Sequence, residues 1–253
     1  MSSDLTNWLL VFVRAGAMLT VFPIFSITNV PRQVRLALGA LLALLVAPMT
    51  PDLASPQDLW GLIGVIALEL GFGLLLGFTS RMVFYALDIA GNLLAAEIGL
   101  SMPTSINPMT ASQSTDTANL LNYLAAMLWL SLNLHHSLLL AFRRSFVFLP
   151  IGGGHLSETL LLDVVGRTTH LFAFALQLAA PLVAVSFIIT LVFAVLSRAV
   201  PQMNVFSESF GVRLLAGLTV FGLTCQLMGQ HIANYLRRLP EDVLRVAQLL
   251  GGA

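Results

Sequence analysis

From Leu59 to Leu100 only four side chains are charged, Glu69, Arg81, Asp88 and Glu97, among residues that are otherwise almost all apolar or small. A soluble helix needs one polar face, and this run has none. Its length suits two bilayer crossings, 59–78 and 82–100, at about 20 residues each. The same character recurs at 8–22, 36–48, 118–142, 171–196 and 212–232. Overall the chain is 57% hydrophobic and 9% charged, where globular chains carry about 25% charged residues. A soluble domain is excluded, and the single Cys225 excludes a disulfide scaffold. Twelve Arg balance twelve Asp and Glu with no Lys, so no basic surface exists for nucleic acid. The expected class is an all-α membrane protein of six or seven apolar helices.

Residues 1–7 hold Asp4 and no basic residue, and Arg14 interrupts the first apolar run. That pattern predicts a retained first helix rather than a cleaved signal peptide. Pro23, Pro31, Pro48, Pro51, Pro56, Pro103, Pro108, Pro150 and Pro201 mark the breaks, each removing a backbone donor. Stretch 36–48 reaches only about 20 Å as a helix, short of a full crossing. Counting Arg81 as a connection, basic residues alternate between sides in a way that predicts N-out and C-in.

Arg14, Glu69, Asp88 and Glu97 lie inside apolar stretches, where a charge costs about 2.5–3.5 kcal/mol even on the lenient insertion scale. Two readings stand: an ion or proton relay, or packing with the charges paired. Arg81 and Asp88 are seven apart on one helix face, which favours pairing, and Asn92 shares that face. Gly73 and Gly77 form a small-xxx-small pair that lets helix backbones approach. His135 and His136 are adjacent and are expected to point to different faces; no spacing assembles a metal site, a nucleophile with its base, or a phosphate loop. Neither a cofactor nor catalysis is expected.

Ser101–Asp116 is small, polar and proline-broken, and is dotted with Met102, Ile106 and Met109. It reads either as a surface loop or as non-helical backbone lining a water-filled path. Residues 239–250 predict a short amphipathic helix opening at Pro240, with Val243, Val246, Ala247 and Leu250 on one apolar face. That face could lie on membrane lipid or dock on a partner.

Several segments together resemble one family. They are Arg14 to Pro23, Phe25-Ser26, Val30-Pro31 before Arg35, and Glu97-Ile-Gly-Leu-Ser-Met102 leading into Ile106-Asn107-Pro108. His135-His136, Ser145-Phe-Val-Phe-Leu-Pro-Ile-Gly152 and Arg198-Ala-Val-Pro201-Gln202-Met-Asn204-Val-Phe206 complete the set. In order and spacing they are similar to the flagellar biosynthetic protein FliR family and its SctT-like injectisome relatives, across nearly the whole chain. The Arg198–Asn204 run is shared with injectisome members, whereas Leu149-Pro-Ile-Gly152 looks more flagellar.

The resemblance implies a non-enzymatic subunit of the type III export gate at the basal body's inner membrane. FliP- and FliQ-like subunits would complete a narrowing channel for unfolded export substrates, with FlhB- and FlhA-like proteins at its entrance. It implies that the plug maps to Ser101–Asp116, with Met102, Ile106, Asn107, Pro108 and Met109 at the seal. It further implies a FliQ-like hairpin over about 171–232. Arg14, Glu69, Arg81, Asp88, Glu97, Arg198, Pro201, Gln202 and Asn204 are the expected polar and assembly positions. The competing reading is a small-molecule or ion transporter, resting on Glu69, Asp88 and Glu97.

Overall fold

A computed structural model describes residues 3–22, 31–50, 58–100, 115–155, 157–200, 202 and 204–252. These form seven α-helices: α1 (Ser3–Val21), α2 (Arg32–Val46), α3 (Leu59–Ile98), α4 (Asp116–Ser131), α5 (Leu134–Phe148), α6 (Glu158–Ala199) and α7 (Val205–Gly251). A 3-10 turn, Ala47–Met49, follows α2, and no strand occurs among the described residues. Five helices are long and apolar enough to cross a membrane, or six spans if the bent pair α4–α5 counts as one.

The helix boundaries correct the hydropathy reading in three places. First, 59–78 and 82–100 are one 40-residue helix, and Arg81 is not a connection. Arginine is a good helix former, and neither glycine nor proline stands beside it. The neighbouring hydroxyls of Thr79 and Ser80 donate to the carbonyls of Leu75 and Leu76 on their own helix, at 2.9 and 3.0 Å. The alternation of sides that predicted N-out therefore loses one of its connections. Second, the stretch 118–142 is bent by 76° between α4 and α5. The bend sits at Asn133, whose φ of +54° is left-handed, a conformation that asparagine tolerates better than most residues. Third, α7 runs through Pro240 to Gly251, so the amphipathic tail is its last turns rather than a separate helix. The apolar face was placed correctly: Val243, Val246, Ala247 and Leu250 are all fully buried.

The chain divides into two compact units, and α3, α4, α6 and α7 each contribute residues to both. In the first unit (1–82, 129–168 and 236–253) α1 crosses α2 where Gly39 meets the Gly16 backbone. Against α3, α1 crosses at Gly73 and Gly77. A Cβ on Gly73 would strike the Arg14 carbonyl and lie 2.7 Å from the Ala17 Cβ, and one on Gly77 would lie 2.8 Å from the Met18 carbonyl oxygen. The small-xxx-small pair thus sets how closely these two backbones approach.

In the second unit (83–128 and 169–235) Gly91 packs directly on Ala118, so α4 lies against α3. There α6 and α7 run antiparallel. Phe174 and Tyr235 rings are 4.5 Å apart, and Arg213 Nη2 donates to Thr190 Oγ1 at 2.8 Å.

Gly71 and Gly73 make a matched test, because a Cβ at Gly71 meets nothing within 4 Å. Gly71→Ala should hold or raise Tm in detergent, since alanine gains about 0.5–1 kcal/mol over glycine in a helix. Gly73→Ala should lower it. Equal behaviour of the two variants would mean that close approach does not set the α1–α3 contact.

Candidate functional site

Glu69 lies one turn before Gly73 on the same face of α3. The glycine that admits α1 therefore brings the carboxylate to the helix that carries Arg14. Both side chains are fully buried. The guanidinium grips the carboxylate with two parallel bonds: Nε donates to Oε2, and Nη2 donates to Oε1 at 2.9 Å. Its third nitrogen, Nη1, donates to the Leu149 carbonyl at 3.0 Å. Glu69 Oε1 also accepts the Gly152 N–H at 2.9 Å. The Phe146 ring stacks against the cation, with Cζ 4.0 Å from its centroid. Two charges that would be prohibitive alone become a neutral cluster, held by a fork that suits a carboxylate geometrically.

The turn from Leu149 to Gly154 supplies the backbone part of this cluster. Gly152 has φ +71°, which favours glycine. Gly153 N–H closes the turn on the Pro150 carbonyl at 3.0 Å. Gly154 has no room for a Cβ, which would strike the ends of Phe72 and Leu149. The end of α7 holds the turn in place: His155 N–H donates to the Leu250 carbonyl at 3.0 Å, and Gly251 sits directly on the Phe148 carbonyl.

An ion cluster ties the same end of α7 to α6. Arg167 bonds Asp163 and Asp242, and Arg245 Nε reaches Asp163 Oδ1 at 3.1 Å. Sequence reasoning overlooked this cluster. Its signal was present in the opposite charges at 163/167 and 242/245, spaced four and three apart as helix-face neighbours.

In the second unit Asn122 Nδ2 donates to Asp88 Oδ1 at 2.6 Å, and Thr115 Oγ1 donates to Asn92 Oδ1 at 3.0 Å. The shared face of Asp88 and Asn92 is thus turned to α4. Arg81 and Glu97 are half-buried, while Arg198, Gln202 and Asn204 are exposed around the α6–α7 junction. Asn204 offers its carbonyl to the Glu208 N–H at 3.1 Å, opening α7. Pro201 and the seal positions Met102, Ile106, Asn107, Pro108 and Met109 lie outside the described residues.

His135 and His136 require a correction, because their rings are 4.1 Å apart rather than on different faces. Both stand in the first turn of α5, just after the left-handed Asn133. Among the described residues no group of three His, Cys, Asp or Glu side chains could hold a metal ion.

Long apolar helices, with the buried Arg14 and Glu69 neutralising each other, define an all-α integral membrane protein. Residues 5–239 match the family described as "Bacterial export proteins, family 1". Flagellar biosynthetic protein FliR of Escherichia coli is 26% identical over 98% of both chains. FliR of Pectobacterium carotovorum is 29% identical over 96% of both, and FliR of Bacillus subtilis is 30% identical over 96% of this chain and 95% of its own. The chain belongs to this FliR family of bacterial export proteins. As a member it is a membrane component of the flagellar export apparatus.

The buried cluster makes a definite stability prediction. Arg14→Met or Glu69→Leu alone strands a buried charge and should cost about 3–5 kcal/mol. The double variant should cost far less than the sum of the two, read as a coupling energy in a double-mutant cycle in detergent. Additive losses would mean that the two groups do not stabilise each other.

Proposed function

We propose that this chain forms part of the channel wall through which unfolded flagellar subunits cross the inner membrane at the basal body. One observation carries the reading. Exposed apolar side chains run along α6 from Leu161 and Leu162, through Phe172 and Phe187, to Val195 and Leu196. That distance is about 53 Å at 1.5 Å per residue, whereas the hydrocarbon core is about 30 Å thick. Lipid can cover only about half of this surface, so protein helices must cover the rest. FliP- and FliQ-like subunits suit that role, with the α6–α7 pair over about 171–232 acting as a FliQ-like hairpin. FlhB- and FlhA-like proteins would then meet the entrance.

Within this reading the chain is an export component and not an enzyme, and residues 101–116 close the resting channel. Met102, Ile106 and Met109, with Asn107 and Pro108 among them, would supply an adaptable apolar seal. Arg81 would belong to the polar network of Asp88. The transporter reading is weakened by the ties described above, because Glu69 is engaged by Arg14 and Asp88 by Asn122. A proton relay needs carboxylates that are free to exchange protons.

Two measurements test the proposal. Mild detergent extraction should bring out FliP- and FliQ-like subunits with this chain, and recovery of the chain alone would count against a shared channel. Shortening 104–113 should leave the complex assembled but raise the resting conductance of the membrane to small ions. An assembled complex that stays tight would make this segment a connector only.

A further inference from the structure

Exposed side chains change chemistry where α4 gives way to α5. On α4 the outward stripe is Leu120, Tyr123, Met127 and Leu130, each at least half exposed. Their spacings of three, four and three keep them on one helix face. The helix has 16 residues and rises about 24 Å, close to the hydrocarbon thickness of about 30 Å. Ser131 and Asn133 then stand exposed at the 76° bend.

Beyond the bend, α5 has two unlike faces. Leu138, Ala141, Phe142, Ser145 and Phe146 are buried, and Phe146 is the ring stacked on Arg14. His136, Leu140, Arg143, Arg144 and Val147 are exposed. At 3.6 residues per turn these five fall within an arc of about 100°. Neither arginine makes an ion pair among the described residues. No Asp or Glu stands in the sequence between Asp116 and Glu158. This face is therefore cationic, yet Leu140 and the 76% exposed Val147 share it.

Bulk water suits the arginines but not their apolar neighbours, and acyl chains suit the reverse. The membrane interface suits both. There the stems of arginine lie along apolar surface while the guanidinium reaches outward to polar groups. Its planar fork matches the oxygens of a phosphate.

We propose that α5 lies in the membrane interface, with Arg143 and Arg144 bound to the phosphates of anionic phospholipid. The bend suits this placement, because a helix turned by 76° from one that crosses the bilayer runs nearer its plane than its normal. Protein already covers the opposite face of α5, through Phe146 and the Arg14 centre. The apolar stripe of α4 favours lipid over an acidic protein surface: it runs up to the bend, and the arginines begin just beyond it.

The test uses the assembled complex in nanodiscs of phosphatidylcholine and phosphatidylglycerol, with Cys225→Ser as the background. Nitroxide labels are placed singly at His136→Cys, Leu140→Cys and Val147→Cys, and their depth is read from collisions with oxygen and with a water-soluble nickel chelate. All three should lie at the same depth, near the phosphates, although they span about 16 Å of helix. Depth changing steadily from 136 to 147 would make α5 a crossing. Labels shielded from both reagents would put a protein on this face, and full exposure to the chelate alone would leave it in water. Any of these three results overturns the proposal. The headgroup contact is read separately, as the preference for labelled phosphatidylglycerol over phosphatidylcholine. Each arginine near an anionic surface contributes about fivefold, so Arg143→Gln with Arg144→Gln should lower that preference about 25-fold. Arg143→Lys with Arg144→Lys should keep most of it, and added salt should weaken it in the wild type. An unchanged preference in the glutamine variant, or a wild-type preference indifferent to salt, would overturn the role of the arginines.

Discussion

The Arg14–Glu69 pair joins parts of the chain that lie far apart in sequence. It ties α1 to α3 directly, and through the Leu149 carbonyl and the Gly152 N–H it fixes the turn after α5. That turn in turn receives the end of α7 through Leu250 and Gly251. The turn beside this buried polar centre thus meets residues from both ends of the sequence. Each bond is needed by the others, because any donor or acceptor left over would be unsatisfied in apolar surroundings. Such a centre selects one arrangement of helices where apolar contacts alone would accept several.

The second constraint is the mismatch between helix length and bilayer thickness. Helices of 40, 42 and 47 residues exceed the roughly 20 that a bilayer requires. Pro181 and Pro240 stand inside two of them without ending either. Each omits one backbone bond, a modest loss within helices this long. A simple multispan bundle would break its helices at about the membrane thickness, and this fold does not.

Much of this was legible in the sequence, and what was missed follows a pattern. The class, the buried charges, the Gly73–Gly77 contact and the apolar face of Val243, Val246, Ala247 and Leu250 could all be read from residue type and spacing. The pairing of Arg14 with Glu69 could not be read, because 55 residues separate them and neither carries a mark of its partner. The role of Leu149-Pro-Ile-Gly152 was hidden for a different reason. It showed only as a family resemblance, since a carbonyl and an N–H have no side-chain signature. Breaks were misjudged in both directions. Arg81 is a charge but a good helix former, whereas Asn133 is inconspicuous and turns the chain through 76°. Hydropathy measures burial and not backbone conformation, so it cannot tell these two cases apart.

The two halves of α3 use polar residues in opposite ways. In the first half Glu69 is sealed, with no exposure and three donors on its two oxygens. In the second half Asp88 accepts from Asn122 of α4, and the exposed Asn92 accepts from Thr115 just before α4. A sealed network resists change, because opening it would leave charges in an apolar interior. An exposed contact exchanges one hydrogen bond for another with water, and its net free energy is small. Both kinds occur along this single helix, with glycine setting the close contacts beside each: Gly73 and Gly77 at α1, and Gly91 at α4.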